Sequence, residues 1–135
     1  MYRYALTIEY DGAPFHGWQV QKNLSTVQGV IFNAIKKLDK NCGNFVGAGR
    51  TDAGVHAIGQ VAHVDLETDR DCKTVEKAIN YYLNKHPISI LDAKKVSKDF
   101  HARYSAKKRY YTYKIFSRAT DLTFERSQFW HVRHP

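Results

Sequence analysis

Arg50 and Asp52 lie two residues apart in GAGRTDAGVHAIGQVAH, residues 47–63, where four glycines surround one cation and one carboxylate. Glycines this dense mean that the backbone turns tightly or approaches something closely. A carboxylate held out by such a turn can act as nucleophile or base, and an arginine beside it can enter a nucleic acid. The competing arrangement is an Asx-turn, in which Asp52 satisfies its own loop backbone. On the turn alone, that commoner arrangement is favoured.

Other chemistries fail on spacing. A dinucleotide loop GxGxxG begun at Gly47 needs glycine at position 52, which is Asp52. A Walker loop begun at Gly49 reaches Gly54, but Val55 and His56 stand where Lys and Ser or Thr are required. The H-x-E and PCxxC motifs of a zinc deaminase are missing. Among the histidines, His56 and His63 are separated by a turn and part of a strand, and no metal is expected. Cys42 and Cys72 stand alone, which argues against a disulfide framework or a CxxC site.

The charge balance points to a partner. Lys and Arg outnumber Asp and Glu by 21 to 13, a net charge of +8, and 13% of residues are aromatic. Such a surface suits RNA or DNA, though charge alone fits a solubilising surface equally well. The stretch ARYSAKKRYYTYK, residues 102–114, tips the balance by interleaving cations with four tyrosines. Cations neutralise phosphate, and flat rings stack on bases. No apolar run approaches the roughly 18 residues of a membrane span. The N-terminus lacks the apolar core of a signal peptide, so a cytoplasmic protein is expected.

The elements that must position these residues follow from periodicity. With 135 residues, 43% of them hydrophobic, one domain with its own core is expected. YRYALTIEY, residues 2–10, alternates with period two and predicts a strand with Tyr2, Tyr4, Leu6, Ile8 and Tyr10 on one face. Gly12, Pro14 and Gly17 mark a loop. Ser25 and Gln28 form a capping-box signature, and the stripe Val27, Val30, Ile31, Ala34, Ile35 and Leu38 predicts a helix stopped by Asn41 and Gly43. A short strand is expected at 44–48 and a longer one at 58–67, with Ile58, Ala62, Val64 and Leu66 sharing a face. Asp71 caps a second helix that buries Val75, Ala78, Ile79, Tyr82 and Leu83, and Pro87 closes it. ISILDAKKVS and residues 108–117 read as further strands. The order β-α-β-β-α-β, plus one strand, gives a ferredoxin-like α+β fold: an antiparallel sheet with both helices on one face.

The run GRTDAGVHAIGQVAH resembles the signature of the tRNA pseudouridine synthase A family, and three further stretches agree in content and order. These are YDGAPFHGWQVQ, STVQGVIFNAI and DFHARYSAKKRYYTYKI, so the resemblance covers nearly the whole chain. It implies an isomerase that converts uridine to pseudouridine at positions 38, 39 and 40 of the tRNA anticodon stem-loop, without a cofactor or metal. By the same resemblance Asp52 is the catalytic residue, Arg50 helps to flip the nucleotide, and Tyr111 of the R-x-Y-x-Y block stacks on the target base. Thr51, Lys107, Lys108 and Arg109 are expected to bind substrate with them, and a homodimer is expected.

Family members continue beyond the point where this chain stops, at SQFWHVRHP, into a half that completes the sheet. Residues 1–135 are therefore expected to form a single α+β domain, the N-terminal part of a pseudouridine synthase catalytic fold, inactive alone. A rival reading is a non-catalytic RNA-binding module with the same element order. Its third strand would need a K/R-G-F/Y-G/A-F-V-x-F/Y pattern, whereas IGQVAHVDL carries no aromatic.

Overall fold

The computed structural model describes residues 1–105 and the backbone of 115–117 and 130–132. Period-two alternation in Tyr2–Tyr10 (β1) turns Tyr4, Leu6, Ile8 and Tyr10 to one side, where all four are buried. The chain then runs through Val27–Leu38 (α1), Phe45–Gly47 (β2), Ala57–Leu66 (β3), Cys72–Tyr82 (α2) and Ile88–Val96 (β4). These strands make one sheet in the order β2-β3-β1-β4, with every neighbour antiparallel. Each helix therefore carries the chain across one intervening strand, which is the expected ferredoxin-like α+β arrangement. Val27, Ile31, Ala34 and Ile35 of α1, with Val75 and Ile79 of α2, join the inward face of the sheet in one core cluster. The strand expected at 108–117 is described only at Ile115–Ser117 (β5), which pairs in parallel with Trp130–Val132 (β6) in a separate two-stranded sheet.

Three local expectations are corrected. The cap of α1 is Thr26, whose hydroxyl accepts from Gly29 N at 3.2 Å; Ser25 instead gives its carbonyl to His16 N. Gln28 is not half of a capping box. Its side chain accepts from Val20 N at 3.0 Å and donates to the Phe45 carbonyl at 2.9 Å, tying the preceding loop to the sheet edge. The helix ends at Leu38, before Asn41 and Gly43, because the buried Asp39 carboxylate accepts from Asn41 N and Glu67 N and draws the chain away. Finally, Ile58 is 88% exposed, although Ala62, Val64 and Leu66 are fully buried. Ile8 pairs with Gln60 but Tyr10 with Ala57, so β3 carries one extra residue there and its alternation slips.

The other face of β3 holds a buried histidine. His63 is 2% exposed beneath the segment 97–105, and its Nδ1 accepts from Ala102 N at 3.0 Å. Arg3 ties the same segment down by donating to the Lys98 and Phe100 carbonyls, while it grips Asp65 with two bonds of 2.8 and 3.0 Å. Burial, then the nearby Arg3 and His101, push the His63 pKa down to about 4. The unfolded chain binds this proton near the ordinary 6.5, so the contribution to stability is full above that pH and is lost as pH falls toward 4. Asp65 is held below its ordinary 3.8 chiefly by the Arg3 hydrogen bond, so its own contribution is lost only under more acid conditions. Urea midpoints measured from pH 7 to 4.5 are expected to fall by the equivalent of about 2–3 kcal/mol, and His63→Gln to flatten most of that slope. A slope unchanged by the substitution would contradict the assignment.

Candidate active site

Between β2 and β3 the chain leaves the sheet in stages. Ala48 N still donates to the Val61 carbonyl at 2.8 Å, and Gln60 Nε2 reaches the Gly49 carbonyl at 2.7 Å. Thr51 then faces inward. Its carbonyl accepts from Trp18 N at 3.0 Å, and its hydroxyl shares a 2.8 Å hydrogen bond with the Tyr10 hydroxyl. Further on, Gly54 N donates to the Phe15 carbonyl at 3.3 Å, and His56 Nδ1 accepts from Gly12 N at 2.9 Å. The turn is thus held by β1 and the 12–18 loop, at points far from it in sequence.

Two glycines allow that closeness. Gly17 has φ +82°, and a Cβ there would stand 2.7 Å from the Thr51 carbonyl oxygen. At Gly12 a Cβ would stand 1.9 Å from the carbonyl oxygen of Val55. Backbone therefore lies on backbone, and only glycine fits.

With Thr51 pinned inward, its neighbours Arg50 and Asp52 project into solvent. The Asx-turn alternative does not form. Gly54 N, the donor it would use, is bonded to Phe15, and the Asp52 carboxylate takes no hydrogen bond among the described residues. Among the described residues, no group competes with a substrate for this carboxylate.

Arg50 forms one wall of an open cleft of about 570 Å³, with Trp18, Gln28, Gly47, Gly49 and Arg103 among its lining. Trp18 is 1% exposed and carries its indole between Tyr10 and Phe45, at centroid distances of 6.0 and 5.7 Å. Two guanidiniums on one cleft attract anions, and the indole beneath stiffens its floor. Among the described residues, no group of three or more His, Cys, Asp or Glu is placed to hold a metal ion. No helix among them is long and apolar enough to cross a membrane.

Arg50, Thr51 and Asp52 are therefore brought together on one turn. Tyr111, Arg109, Lys107 and Lys108 lie outside the described residues. Sequence reasoning missed Tyr10, Trp18, Gln28 and Arg103 as parts of the site. A tryptophan directly after Gly17, inside a Gly- and Pro-rich loop, was the available signal for one of them.

The pinned turn thus exposes the Asp52 carboxylate two residues from Arg50, which shares its cleft with Arg103. The chain belongs to the tRNA pseudouridine synthase family, which matches residues 6–105. It is 52% identical over 134 residues to tRNA pseudouridine synthase A of Ehrlichia canis (strain Jake), covering 98% of this chain and 55% of the relative. It is likewise 50% identical over 132 residues to the protein of the same name from Maricaulis maris (strain MCS10), covering 98% and 53%. The chain thus spans about half the length of the curated relatives it matches.

Proposed function

We propose that this chain carries the catalytic turn of an enzyme that isomerises uridine to pseudouridine in the anticodon stem-loop of tRNA. One observation carries the reading: the Asp52 side chain is exposed, and its carboxylate takes no hydrogen bond among the described residues, on a turn whose backbone is fixed at Thr51 and Gly54. The reaction breaks N1–C1′, turns the uracil and joins C5 to C1′; the proton on C5 is lost and N1 gains one. Atoms balance without redox change or added water, so a carboxylate suffices. Asp52 either attacks C1′, as in a retaining glycosidase, or removes a sugar proton.

The uridine must first leave the stack, at a cost of a few kcal/mol. In this reading Arg50 fills the vacated space and Tyr111 stacks on the base. Lys107, Lys108 and Arg109 meet phosphate, and Thr51 aligns the turn through Tyr10 and Trp18. Residues 1–135 act as one domain, the N-terminal part of the catalytic fold. No cofactor enters. A homodimer and a cytoplasmic setting beside tRNA belong to the same proposal.

The two arginines that share one cleft favour a second reading for residues 1–135 by themselves, RNA binding without turnover. Tritium release from tRNA labelled at uracil C5 separates the two. The chain joined to the second half of the Ehrlichia canis relative is expected to release tritium, and the chain alone to bind tRNA without release. A folded chimaera with no release would overturn the enzymatic reading.

A further inference from the structure

Beyond the catalytic turn, the segment following β4 builds a second, equally rigid projection. Ser105 N donates to the His101 carbonyl at 2.7 Å, and His101 N donates back to the Ser105 hydroxyl at 3.0 Å. The His101 Nδ1 accepts from Arg103 N and Tyr104 N at 3.2 and 3.3 Å. Ala102, 2% exposed, fastens this turn to the sheet through its bond to the buried His63. A turn with this many internal bonds presents its outward side chains in fixed directions.

Those side chains are Arg103 and Tyr104. Arg103 lines the same cleft as Arg50. Tyr104 is 79% exposed, although a large aromatic gains most from burial. One face of its ring is already stacked on His101, at 4.4 Å and 27°, and the Arg103 guanidinium lies 5.9 Å from the ring. A largely exposed aromatic, stacked on a histidine and flanked by an arginine, matches the chemistry of a nucleobase platform with a phosphate contact.

We propose that the 101–105 turn is a second nucleotide-binding element: Tyr104 stacks on an unpaired base next to the target uridine, and Arg103 holds a backbone phosphate across the cleft from Arg50. This rests on the RNA-directed reading above. It adds residues that no role in the chemistry requires.

The probe is an anticodon stem-loop RNA with 2-aminopurine in its loop, titrated into the purified protein at several salt concentrations. Tyr104→Ala is expected to weaken binding by between about 5-fold and 150-fold, the range for one stacked base, and to abolish the quenching of 2-aminopurine. Tyr104→Phe should retain both. Arg103→Gln should flatten the slope of log affinity against log salt by roughly 0.7–0.9, the loss of one phosphate contact. Each variant is titrated well below its own melting temperature, so that only folded protein is compared, and Tyr104→Phe should melt with the parent because it keeps the ring on His101.

If the parent protein binds the RNA and these variants bind as it does, the second element is overturned and the catalytic turn is untouched. Equal losses in Tyr104→Ala and Tyr104→Phe would also overturn it, since stacking needs the ring and not the hydroxyl. Failure of the parent itself to bind RNA would overturn both readings.

Discussion

Asp52→Asn is expected to lower the rate of pseudouridine formation by at least about 10⁴-fold while tRNA affinity and melting temperature stay unchanged. The size of the effect follows from the chemistry: an amide neither attacks C1′ nor accepts a sugar proton at neutral pH. Its selectivity follows from the structure. The carboxylate supports no hydrogen bond among the described residues, and the turn is held by the Thr51 carbonyl and hydroxyl and by Gly54 N instead. The isostere removes one negative charge from a basic surface, a change that does not weaken RNA binding. Single-turnover tritium release by the chimaera, with filter binding on the same preparations, provides the check. Substantial turnover by a folded variant would take the catalytic role away from Asp52.

Trp18→Ala is expected to cost about 3–5 kcal/mol of folding stability, read as a lowered urea midpoint with an unchanged slope. The indole is buried against Tyr10 and Phe45, and it fills the space over Gly47 so closely that a Cβ there would stand 2.7 Å from the ring. Alanine would leave a cavity that β2 and β1 cannot both close. It would keep the main-chain bonds of residue 18 to Thr51 and Gln28, so the turn stays tethered while its floor empties. Activity should then fall through unfolding and a softened cleft rather than through loss of a chemical group. A loss below about 1 kcal/mol would mean that the cleft floor does not depend on the ring.

What was legible in the sequence was whatever a single local pattern controls. The alternation of Tyr4, Leu6, Ile8 and Tyr10 marks β1 because one face alone is buried, and Asp71 marks the start of α2 because its carboxylate accepts from Thr74 N three residues on. Ile58 misled because a bulge depends on the partner strand, and no period within β3 records it. Ser25 and Thr26 are both competent caps; the choice fell to Thr26 because the Ser25 carbonyl pairs with His16. The candidate site divides in the same way. Gly47, Gly49 and Gly54 advertise a turn, and a long specific run names its family. Tyr10 lies 41 positions from the hydroxyl it holds, and Arg103 reaches its cleft only because Ala102 is fastened to His63. Contacts of that separation leave no periodic trace.

The order of the sheet also sets how the chain must fold. β1 is central, yet its partners are remote: Tyr2 faces Leu66 on one side and Arg3 faces Val96 on the other. Loops of that length must close before the ladder returns any favourable energy, which sets the chain with the mixed α/β folders, slower than helical bundles built on local contacts. During synthesis the first strand made waits for residues 57–66 and then 88–96 before both its edges are paired. Until then its apolar face is a bare template, and that interval is when the nascent chain is most open to mispairing and to capture by chaperones.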